Sequence, residues 1–382
     1  MNWAMILQSQ SRVYRREMMK FYCSKCNREE SVDTRKAKCE CGGLWKLDYQ
    51  PPKFDLEKIK SDKWGLLRYR EWIPVDSKAL GEVSLGEGMT PAIHLDEDVM
   101  LKMDYFMPTL SFKDRGAAVL VAHAKSIGVQ SLVQDSSGNA GNSVAAYSAK
   151  AGIDSEIFVP EGTSPKKIDM IRSHGAKVNV VPGSRDHCAD VCRSKVEEEG
   201  VYYANHVFNP FFYQGTKTYI YEIYEQLRRI PENIFIPLGN GTLFLGVMIG
   251  LEELLQSGII EKMPRVFAVQ GENCAPFAEA VQAGKKEIEH ITPKKTMAEG
   301  IAIGTPMRGD EILEYIYKYD IRVITAPEDG IIPAREKLAK KGVYVEHTTA
   351  ATYAAYLKLV EQEGRLEDAL LPMCGAGLKS DH

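Results

Sequence analysis

Short apolar segments alternate with longer amphipathic segments along most of the chain after residue 128, and this alternation predicts the fold class. Seven apolar segments have the length and composition of strands, namely QSLVQ, SEIFVP, AKVNVVPG, VYYAN, NIFIPLG, RVFAVQ and IRVITA. Between two of them, SPKKIDMIRSHG is typical of a helix, because Ser164 can cap it, Pro165 suits its first turn and Gly175 follows its end. Strands and helices that alternate with short connections predict an α/β fold with parallel sheets.

Three loops directly follow predicted strands, and such loops carry the ligand sites of parallel α/β sheets. They are Ser136–Asn142 (SSGNAGN), Gly239–Thr242 (GNGT) and Cys374–Gly377 (CGAG). The two glycines of GNGT let the backbone approach an anion, and the helix predicted to begin near Thr242 adds N–H groups and its positive dipole end. Taken alone, GNGT is also typical of an ordinary turn, and SSGN of a helix cap.

Lys113 lies in the segment SFKDRG, where a Pro-Thr turn gives way to an alanine-rich helix. Such a lysine is either a surface charge paired with an acid such as Asp114 or an amine that holds a cofactor. Pyridoxal phosphate needs an amine for its aldehyde, an anion site for its phosphate and a hydrogen-bond donor for its ring hydroxyl. The segments SFKDRG, GNGT and SSGN together offer all three, so the sequence predicts a pyridoxal-phosphate site.

These three segments belong to a series of eight motifs that covers nearly all of the chain past residue 80. In chain order they are GEGMTP, PTLSFKDRG, SSGNAGNSVAAYSAKAGI, NPFFYQGTKT, GNGT, EGIAIGTP, VEHTTAAT and PMCGAGLK. Their order and spacing resemble the pyridoxal-phosphate enzymes of the tryptophan-synthase-β type, and within them the threonine synthase family.

The resemblance implies two doubly wound open-sheet α/β domains with the cofactor between them (tryptophan-synthase-β-like, fold type II). It adds a small N-terminal zinc-ribbon-like segment. The implied boundaries are 1–18 for a tail, 19–50 for the zinc-ribbon-like segment, 51–110 with 211–382 for the large domain, and 111–210 for the small domain. The family also leads us to expect a homodimer.

The resemblance assigns roles to individual residues. Lys113 would form a Schiff base with the cofactor and act as base, Asn139 would hydrogen-bond the ring hydroxyl, and Cys374 would face the pyridine nitrogen. The cofactor phosphate would be held by Gly239, Asn240, Gly241 and Thr242. The implied substrate-binding residues are Lys102, Ser111, Ser136, Ser137, Ala140 and Asn205.

A thiol at the ring nitrogen suits elimination or replacement better than transamination, since it cannot supply the negative charge that keeps a pyridinium protonated. Burial of Lys113 beside Phe112 would lower the lysine pKa.

The chain departs from the threonine synthase pattern where that family binds the phosphate of its substrate. Asn205 is kept, but His206 replaces a small hydroxyl residue and Phe212 replaces an arginine, which removes a bidentate phosphate ligand. Lys102, Lys217 or His206 could compensate. In addition, Leu110 replaces a glycine before SFKDR, and Cys374 replaces a threonine.

Three enzymatic interpretations and one of another class follow. The first is a threonine synthase, which converts O-phospho-L-homoserine and water into L-threonine and phosphate. The second is a serine/threonine dehydratase, because that group carries a cysteine at the position of Cys374 and a loop similar to AEGIAIG. The third is a phosphoserine-dependent β-replacement enzyme. A non-catalytic protein that holds the cofactor or senses a ligand is the interpretation from a different class.

Four of the eight cysteines cluster near the N-terminus. Cys23 and Cys26 are separated by two residues, and after twelve residues Cys39 and Cys41 are separated by one. Two such pairs suit a structural, tetrahedral zinc ion, and archaeal-type threonine synthases carry a similar segment. A ribbon that has kept its cysteines without metal is the alternative. Cys188 and Cys192 share one helix face and are predicted to be core thiols.

Composition narrows the classes of partner. The 382 residues are 44% hydrophobic and 26% charged, with a net charge of −4, as in ordinary globular proteins. This balance does not indicate nucleic acid or an anionic membrane surface as a partner. The chain lacks an apolar run near the ~20 residues of a membrane span, and its start lacks the features of a signal peptide. We therefore expect a cytoplasmic enzyme with a small-molecule amino-acid substrate.

Overall fold

The computed structural model describes residues 19–379. The tail predicted for residues 1–18 lies outside them. None of the helices in the described range is both long and apolar enough to cross a membrane. The described residues pack into two compact units, 19–85 with 116–215 and 86–115 with 216–379. The domain boundaries implied by the family stay a prediction.

The strands and helices follow in chain order. The strands are β1 Lys20–Cys23, β2 Glu29–Ser31, β3 Trp45–Asp48, β4 Ala92–His94, β5 Val99–Lys102, β6 Ser131–Gln134, β7 Asp154–Pro160, β8 Lys177–Val181, β9 Tyr202–Tyr203, β10 Asn233–Pro237, β11 Arg265–Gly271, β12 Arg322–Ala326 and β13 Ala369–Pro372. The α-helices are α1 Ser77–Val83, α2 Lys113–Ser126, α3 Asn139–Ala151, α4 Pro165–Ser173, α5 Arg185–Glu199, α6 Phe211–Thr216, α7 Thr218–Leu227, α8 Thr242–Gln256, α9 Pro276–Gln282, α10 Gly309–Lys318, α11 Ile331–Lys340 and α12 His347–Glu363.

The first unit contains a four-stranded parallel sheet in the order β8-β7-β6-β9. Helices α3 and α5 both pack against its central strand β7. Helix α4 begins as predicted, with the Ser164 hydroxyl accepting from the Lys167 N–H and Pro165 in the first turn. Helix α3 starts earlier than predicted, because Asn139–Asn142, expected in a loop, form its first turn after Gly138.

A three-stranded antiparallel sheet, β2-β1-β3, carries the clustered cysteines and belongs to the same unit. It packs on the unit through aromatic side chains, since the Phe21 ring meets the Phe211 ring edge-on at 5.8 Å. The His123 imidazole stacks on the other side of this contact, 3.8 Å from the Phe211 ring centroid, and its Nε2 lies 2.9 Å from the Val32 carbonyl oxygen. The zinc-ribbon-like segment is therefore anchored on the unit by a buried aromatic cluster.

The second unit contains a six-stranded sheet in the order β12-β11-β10-β13-β5-β4. All neighbouring strands are parallel except β4, which pairs antiparallel with β5 at one edge. Every residue of β10 is buried, as expected for a central strand covered on both faces. Helix α12 packs against β10, β11 and β12, and α8 is apolar on nearly all sides and correspondingly buried. The predicted α/β class is confirmed.

Candidate active site

Lys113 is the first residue of α2 and is half-buried in the second unit. Its ammonium group donates a hydrogen bond of 2.6 Å to the hydroxyl of Thr242, the first residue of α8. The same nitrogen lies 4.5 Å from the centroid of the Phe112 ring. The structure thus brings the lysine of SFKDRG to the end of the GNGT loop, although 129 residues separate the two in sequence.

The GNGT loop has the form of an anion cradle. It follows β10 and ends at the N-terminus of the fifteen-residue helix α8, with Gly241 in the left-handed region at φ 74°. A Cβ atom at Gly239 would come within 2.9 Å of Ile301 Cα, and one at Gly241 would overlap the Ile312 side chain. The Asn240 Oδ1 atom is buried and lacks a hydrogen-bond partner among residues 19–379. The close approach that the two glycines allow, the N–H groups at the helix start and the positive dipole end fit a bound phosphate.

Cys374 follows β13 in the same unit and is fully buried. Its carbonyl oxygen accepts from the Phe112 N–H at 2.9 Å, so the segment before Lys113 runs alongside the CGAG loop. Burial, and then the nearby carboxylate of Glu346, raises the pKa of the Cys374 thiol well above its usual range. The thiol is therefore neutral at physiological pH, as the predicted contact with a pyridine nitrogen requires. Ser111 lies beside it with its hydroxyl buried and, within the described part of the chain, without a hydrogen-bond partner.

The SSGN loop lies in the first unit, between β6 and α3. Ser136, Ser137 and Asn139 are half-buried, and Ala140 is buried. A Cβ atom at Gly141 would overlap the Ser136 carbonyl oxygen, so the loop can fold back over the start of α3 only because residue 141 is glycine. The loop therefore presents the N-terminus of a thirteen-residue helix, which suits a carboxylate.

Asn205, predicted to bind substrate, is buried next to this loop and has a bracing role. Its amide nitrogen donates to Asp135 Oδ1 at 2.8 Å and to the Tyr203 hydroxyl at 3.0 Å. Its amide oxygen accepts from the backbone N–H groups of Val207 and Phe208 at 2.8 and 3.1 Å. Both N–H donors of Asn205 are used on Asp135 and Tyr203, and its contact with substrate stays a prediction.

Lys102, predicted to compensate for the missing arginine, has internal partners. It is fully buried, and its ammonium donates to Glu222 Oε2 at 2.9 Å and to the Thr90 carbonyl oxygen. Burial lowers the pKa of Lys102, and the neighbouring Glu222 opposes this change. The Lys102 ammonium is therefore paired with a buried carboxylate, and its contact with a substrate phosphate stays a prediction.

The other two candidates for compensation are also committed to internal contacts. Lys217 is fully buried and pairs with Glu253 Oε1 at 2.8 Å. His206 is buried, with its Nδ1 atom 3.4 Å from the Gln134 amide nitrogen. Phe212, at the arginine position, is fully buried against Gly116, where a Cβ atom would overlap its ring. Phe212, which replaces the arginine of the threonine synthase pattern, is therefore a packing residue of the first unit.

Sequence reasoning missed a buried ion network two residues beyond Lys113. The Arg115 guanidinium forms two hydrogen bonds of 2.8 Å to Asp104 and two of 2.6 and 2.7 Å to Glu222. All three side chains are completely buried. The signal available in the sequence was only the arginine of SFKDRG, because its partners lie 11 and 107 residues away.

The four N-terminal cysteines form a compact cluster, as predicted. Their sulfur atoms all lie within 4.8 Å of one another, with separations that include 3.3 Å for Cys23–Cys41 and 3.7 Å for Cys26–Cys39. Four thiolates about 2.3 Å from a central zinc would lie roughly 3.8 Å apart, so the cluster fits a tetrahedral ion. Burial raises the pKa of Cys23, but hydrogen bonds from the N–H groups of Cys26 and Lys25 outweigh it and lower that pKa to about 6.

Comparison with known proteins agrees with this geometry. Residues 83–375 match the family described as pyridoxal-phosphate dependent enzyme. A threonine synthase of Methanocaldococcus jannaschii is 33% identical over 375 residues, which cover 94% of this chain and 92% of that protein. A threonine synthase of Methanosarcina acetivorans is 31% identical over 353 residues, covering 89% and 86%.

Solved structures share the fold at lower sequence identity. A fungal L-serine ammonia-lyase from Rhizomucor miehei superposes with a TM-score of 0.67 at 22% identity, covering 75% of this chain and 93% of that one. The processed form of threonine deaminase isoform 2 from Solanum lycopersicum superposes with a TM-score of 0.63 at 20% identity, covering 79% and 78%. These likenesses establish the fold-type II architecture and nothing finer.

Proposed function

The chain belongs to the family of pyridoxal-phosphate-dependent enzymes, and from this premise we propose that it is a threonine synthase. The reaction converts O-phospho-L-homoserine and water into L-threonine and phosphate. Similarity to threonine synthases extends over 94% of the chain, which supports this choice among the reactions of the family. The hydrogen bond between Lys113 and Thr242 at the glycine cradle carries the cofactor assignment.

The proposal assigns a role to each site residue of the second unit. Gly239, Asn240, Gly241 and Thr242 bind the cofactor phosphate, and Lys113 holds the cofactor covalently. When bound, pyridoxal phosphate supplies an electron sink that makes the α-proton of an amino acid removable. The Lys113 amine, when it is not bound to the cofactor, would take and return protons on the substrate as a general base and acid. Thr242, 2.6 Å from that amine, orients it.

Cys374 sets the reaction type. As a neutral thiol it leaves the pyridine nitrogen without a negative partner, which favours elimination and replacement over transamination. Ser111, whose buried hydroxyl has spare hydrogen-bonding capacity, is proposed to contact the substrate. In the first unit, Asn139 is proposed to hydrogen-bond the cofactor hydroxyl. Ser136, Ser137 and Ala140 are proposed to bind the substrate carboxylate at the start of α3.

Serine/threonine dehydration is the second candidate function, and a specific observation favours it. The residues expected to bind a second phosphate are engaged elsewhere, since Lys102 pairs with Glu222 and Phe212 packs on Gly116. A dehydratase needs only the carboxylate site and the base. Both candidates use the same cofactor residues, so they differ in the substrate accepted and in the reaction completed on it.

We also propose that Cys23, Cys26, Cys39 and Cys41 bind a structural zinc ion and that the enzyme is a cytoplasmic homodimer. The cluster of four sulfur atoms supports the zinc site. The dimer rests on the family alone. Sedimentation velocity of the purified enzyme tests it, because a monomer at micromolar concentration would refute the proposal.

The experiment that tests the function uses the purified protein loaded with pyridoxal phosphate. The visible absorption band of the bound cofactor should be present in the wild type and in Lys150→Ala, an exposed lysine on α3, and lost in Lys113→Ala. Release of phosphate together with threonine from phosphohomoserine supports the synthase. Formation of a 2-oxo acid from serine or threonine, with phosphohomoserine inert, supports the dehydratase instead.

A further inference from the structure

A cavity of about 420 Å³ lies in the first unit between the cysteine-bearing loop and α5, and we name it the ribbon cavity. One wall is the segment 35–40, which leads into the cysteine pair at Cys39 and Cys41, and the opposite wall is the C-terminal part of α5. Its apolar lining is formed by Ala37, Val196, Val201, Tyr203 and Phe208. The volume falls in the range of ~300–1,000 Å³ that is typical of small-molecule sites.

The apolar lining is continuous with a core. Tyr203 and Phe208 are buried and meet edge-on with their ring centroids 5.4 Å apart. Ala37, Val196 and Val201 are only partly buried and pack against the same cluster. The ribbon cavity therefore exposes the edge of a well-packed aromatic core, which suits a ligand with a flat apolar body.

Charged side chains border this apolar lining, and cations outnumber carboxylates. The lining holds four cations, Arg35, Lys36, Lys38 and Arg193, and two acids, Glu40 and Glu197. Arg193 also pairs with Asp190, and Lys36 with Glu30 and Glu40, through partly exposed side chains, so these pairs are weak. The Lys38 ammonium lies 3.6 Å from Glu197, but both side chains are largely exposed, so their pairing is weak and can yield to a ligand. An apolar lining with a cationic border is complementary to an amphipathic anion.

A chain of hydrogen bonds connects the ribbon cavity to the SSGN loop. The Tyr203 hydroxyl accepts from Asn205, and Asn205 donates in turn to Asp135, the residue before Ser136. Asn205 also accepts from the N–H of Phe208, so both aromatic residues of the cavity are one hydrogen bond from the same amide. A ligand that shifts the Tyr203 ring would therefore change the bracing of Asp135.

We propose that the ribbon cavity binds a small organic anion with an aromatic or other flat apolar body, and that binding stiffens the Asp135–Gly138 segment through Tyr203 and Asn205. The apolar body lies against Tyr203 and Phe208, and the negative group lies near Arg193. The enzyme thereby has an effector site in the same unit as its SSGN loop. The inference stands on the first unit alone and holds whichever amino acid is the substrate.

The binding test uses the fluorescent anion 8-anilino-1-naphthalenesulfonate with full-length protein saturated with zinc and pyridoxal phosphate. Wild type should bind one probe per chain. Val196→Trp, which fills the cavity from α5, should weaken binding at least tenfold. Val191→Trp is the matched control, because Val191 is also partly buried on α5 and packs on the same core without lining the cavity. Ala37→Phe fills the cavity from the opposite wall and replaces Val196→Trp should that variant misfold.

The charge preference is tested with the neutral analogue N-phenyl-1-naphthylamine. Arg193→Gln should weaken binding of the sulfonate about threefold, in line with a partly exposed ion pair, and leave the neutral probe unchanged. Higher salt should reduce sulfonate binding in the wild type more than in Arg193→Gln. Equal effects on the two probes would overturn the assignment of an anionic ligand.

The coupling is tested by hydrogen–deuterium exchange of residues 135–138 with and without the sulfonate. Binding should slow exchange of this segment in the wild type. In Tyr203→Phe the ring that lines the cavity remains, so binding should persist while the protection of residues 135–138 is lost. Protection that survives in Tyr203→Phe overturns the coupling, and sulfonate binding that persists unchanged in both cavity-filling variants overturns the site.

Discussion

The Arg115 guanidinium binds the Glu222 carboxylate through two hydrogen bonds of 2.6 and 2.7 Å, with both side chains completely buried. Asp104 binds the other edge of the same guanidinium, and Lys102 supplies a second cation to Glu222. The network thus holds two cations and two carboxylates in the interior. Because α2 begins only two residues earlier at Lys113, the network fixes the start of the helix that carries the proposed nucleophile.

Glu222→Gln should reduce the free energy of unfolding by about 3–5 kcal/mol, because it leaves Arg115 and Lys102 buried without their shared negative charge. Urea denaturation of the cofactor-loaded protein measures this change. The matched control is Glu363→Gln, which breaks the exposed pair with Arg322 and should cost less than about 1 kcal/mol. Similar losses in the two variants would show that the buried network is not the stabilising element.

The same network should make the free energy of unfolding depend on pH in the acidic range. Burial raises the pKa of Glu222, but Arg115 and Lys102 outweigh it and lower that pKa to about 2, below the value of 4.5 for a free glutamate. The unfolded chain therefore binds a proton between pH 4.5 and about 2 that the folded chain refuses. The stabilisation is fully present above pH 4.5 and is lost as the pH falls through this window. Denaturation midpoints of Glu222→Gln should fall less steeply than those of the wild type over this range.

Leu110 carries local backbone strain immediately before SFKDRG. Its φ of 62° lies in the left-handed region, where a side chain costs roughly 1–2 kcal/mol, and glycine is the residue that the family resemblance expects there. Leu110→Gly should raise the free energy of unfolding by up to about 1 kcal/mol, after subtraction of the entropy cost of glycine. Leu85→Gly is the control, since Leu85 is equally exposed (39% against 40%) but has negative φ, and it should lose stability. A parallel loss in both variants would contradict the strain.

From the sequence, the proposed cofactor-binding residues were easier to locate than the proposed substrate-binding residues. The glycine cradle and the loop after β6 could be located because each directly follows a predicted strand, and the lysine because its motif resembles that of the family. The roles of these residues stay predictions. Helix α3 was predicted to begin too late, because the pattern of apolar residues does not show that the polar run Asn139–Asn142 already turns. Helix starts at ligand loops are therefore better located by their N–H geometry than by hydrophobic period.

Lys102 shows what one sequence cannot reveal. A lysine on a strand next to the site resembles an anion ligand, and only the fold shows that Glu222, 120 residues away, neutralises it. The hydrogen-bond partner of Asn205 is equally remote in sequence, since Asp135 is 70 residues distant. Buried polar pairs of this kind depend on the tertiary structure, and the residue type alone does not distinguish an internal hydrogen bond from a contact with substrate.

Thr242→Val should weaken pyridoxal phosphate binding about tenfold or more. The change keeps the shape of the side chain but removes the hydroxyl that is proposed to bind the cofactor phosphate, and a hydrogen bond to a charged group is worth about 1.5–3 kcal/mol. Thr242→Ser retains the hydroxyl and should bind the cofactor within about threefold of the wild type. Fluorescence titration of the cofactor-free protein measures both affinities. If the two variants bind alike, the hydroxyl makes no contribution to cofactor affinity.

Removal of the metal should destabilise the β2-β1-β3 sheet and leave the cofactor site intact. The wild type should contain one zinc per chain by mass spectrometry, and Cys26→Ser should contain much less, because three thiolates no longer close the tetrahedron. Cys274→Ser is the control, since Cys274 is a buried thiol outside the cluster and its loss should leave the zinc content unchanged. Without the metal the segment between the cysteine pairs is no longer closed, so Cys26→Ser should also speed proteolysis around residues 27–40. The aromatic contact of Phe21 with Phe211 should still tie the sheet to the first unit. A zinc content near zero in the freshly purified wild type, with the sheet still protected, would instead identify a ribbon that has kept its cysteines without metal.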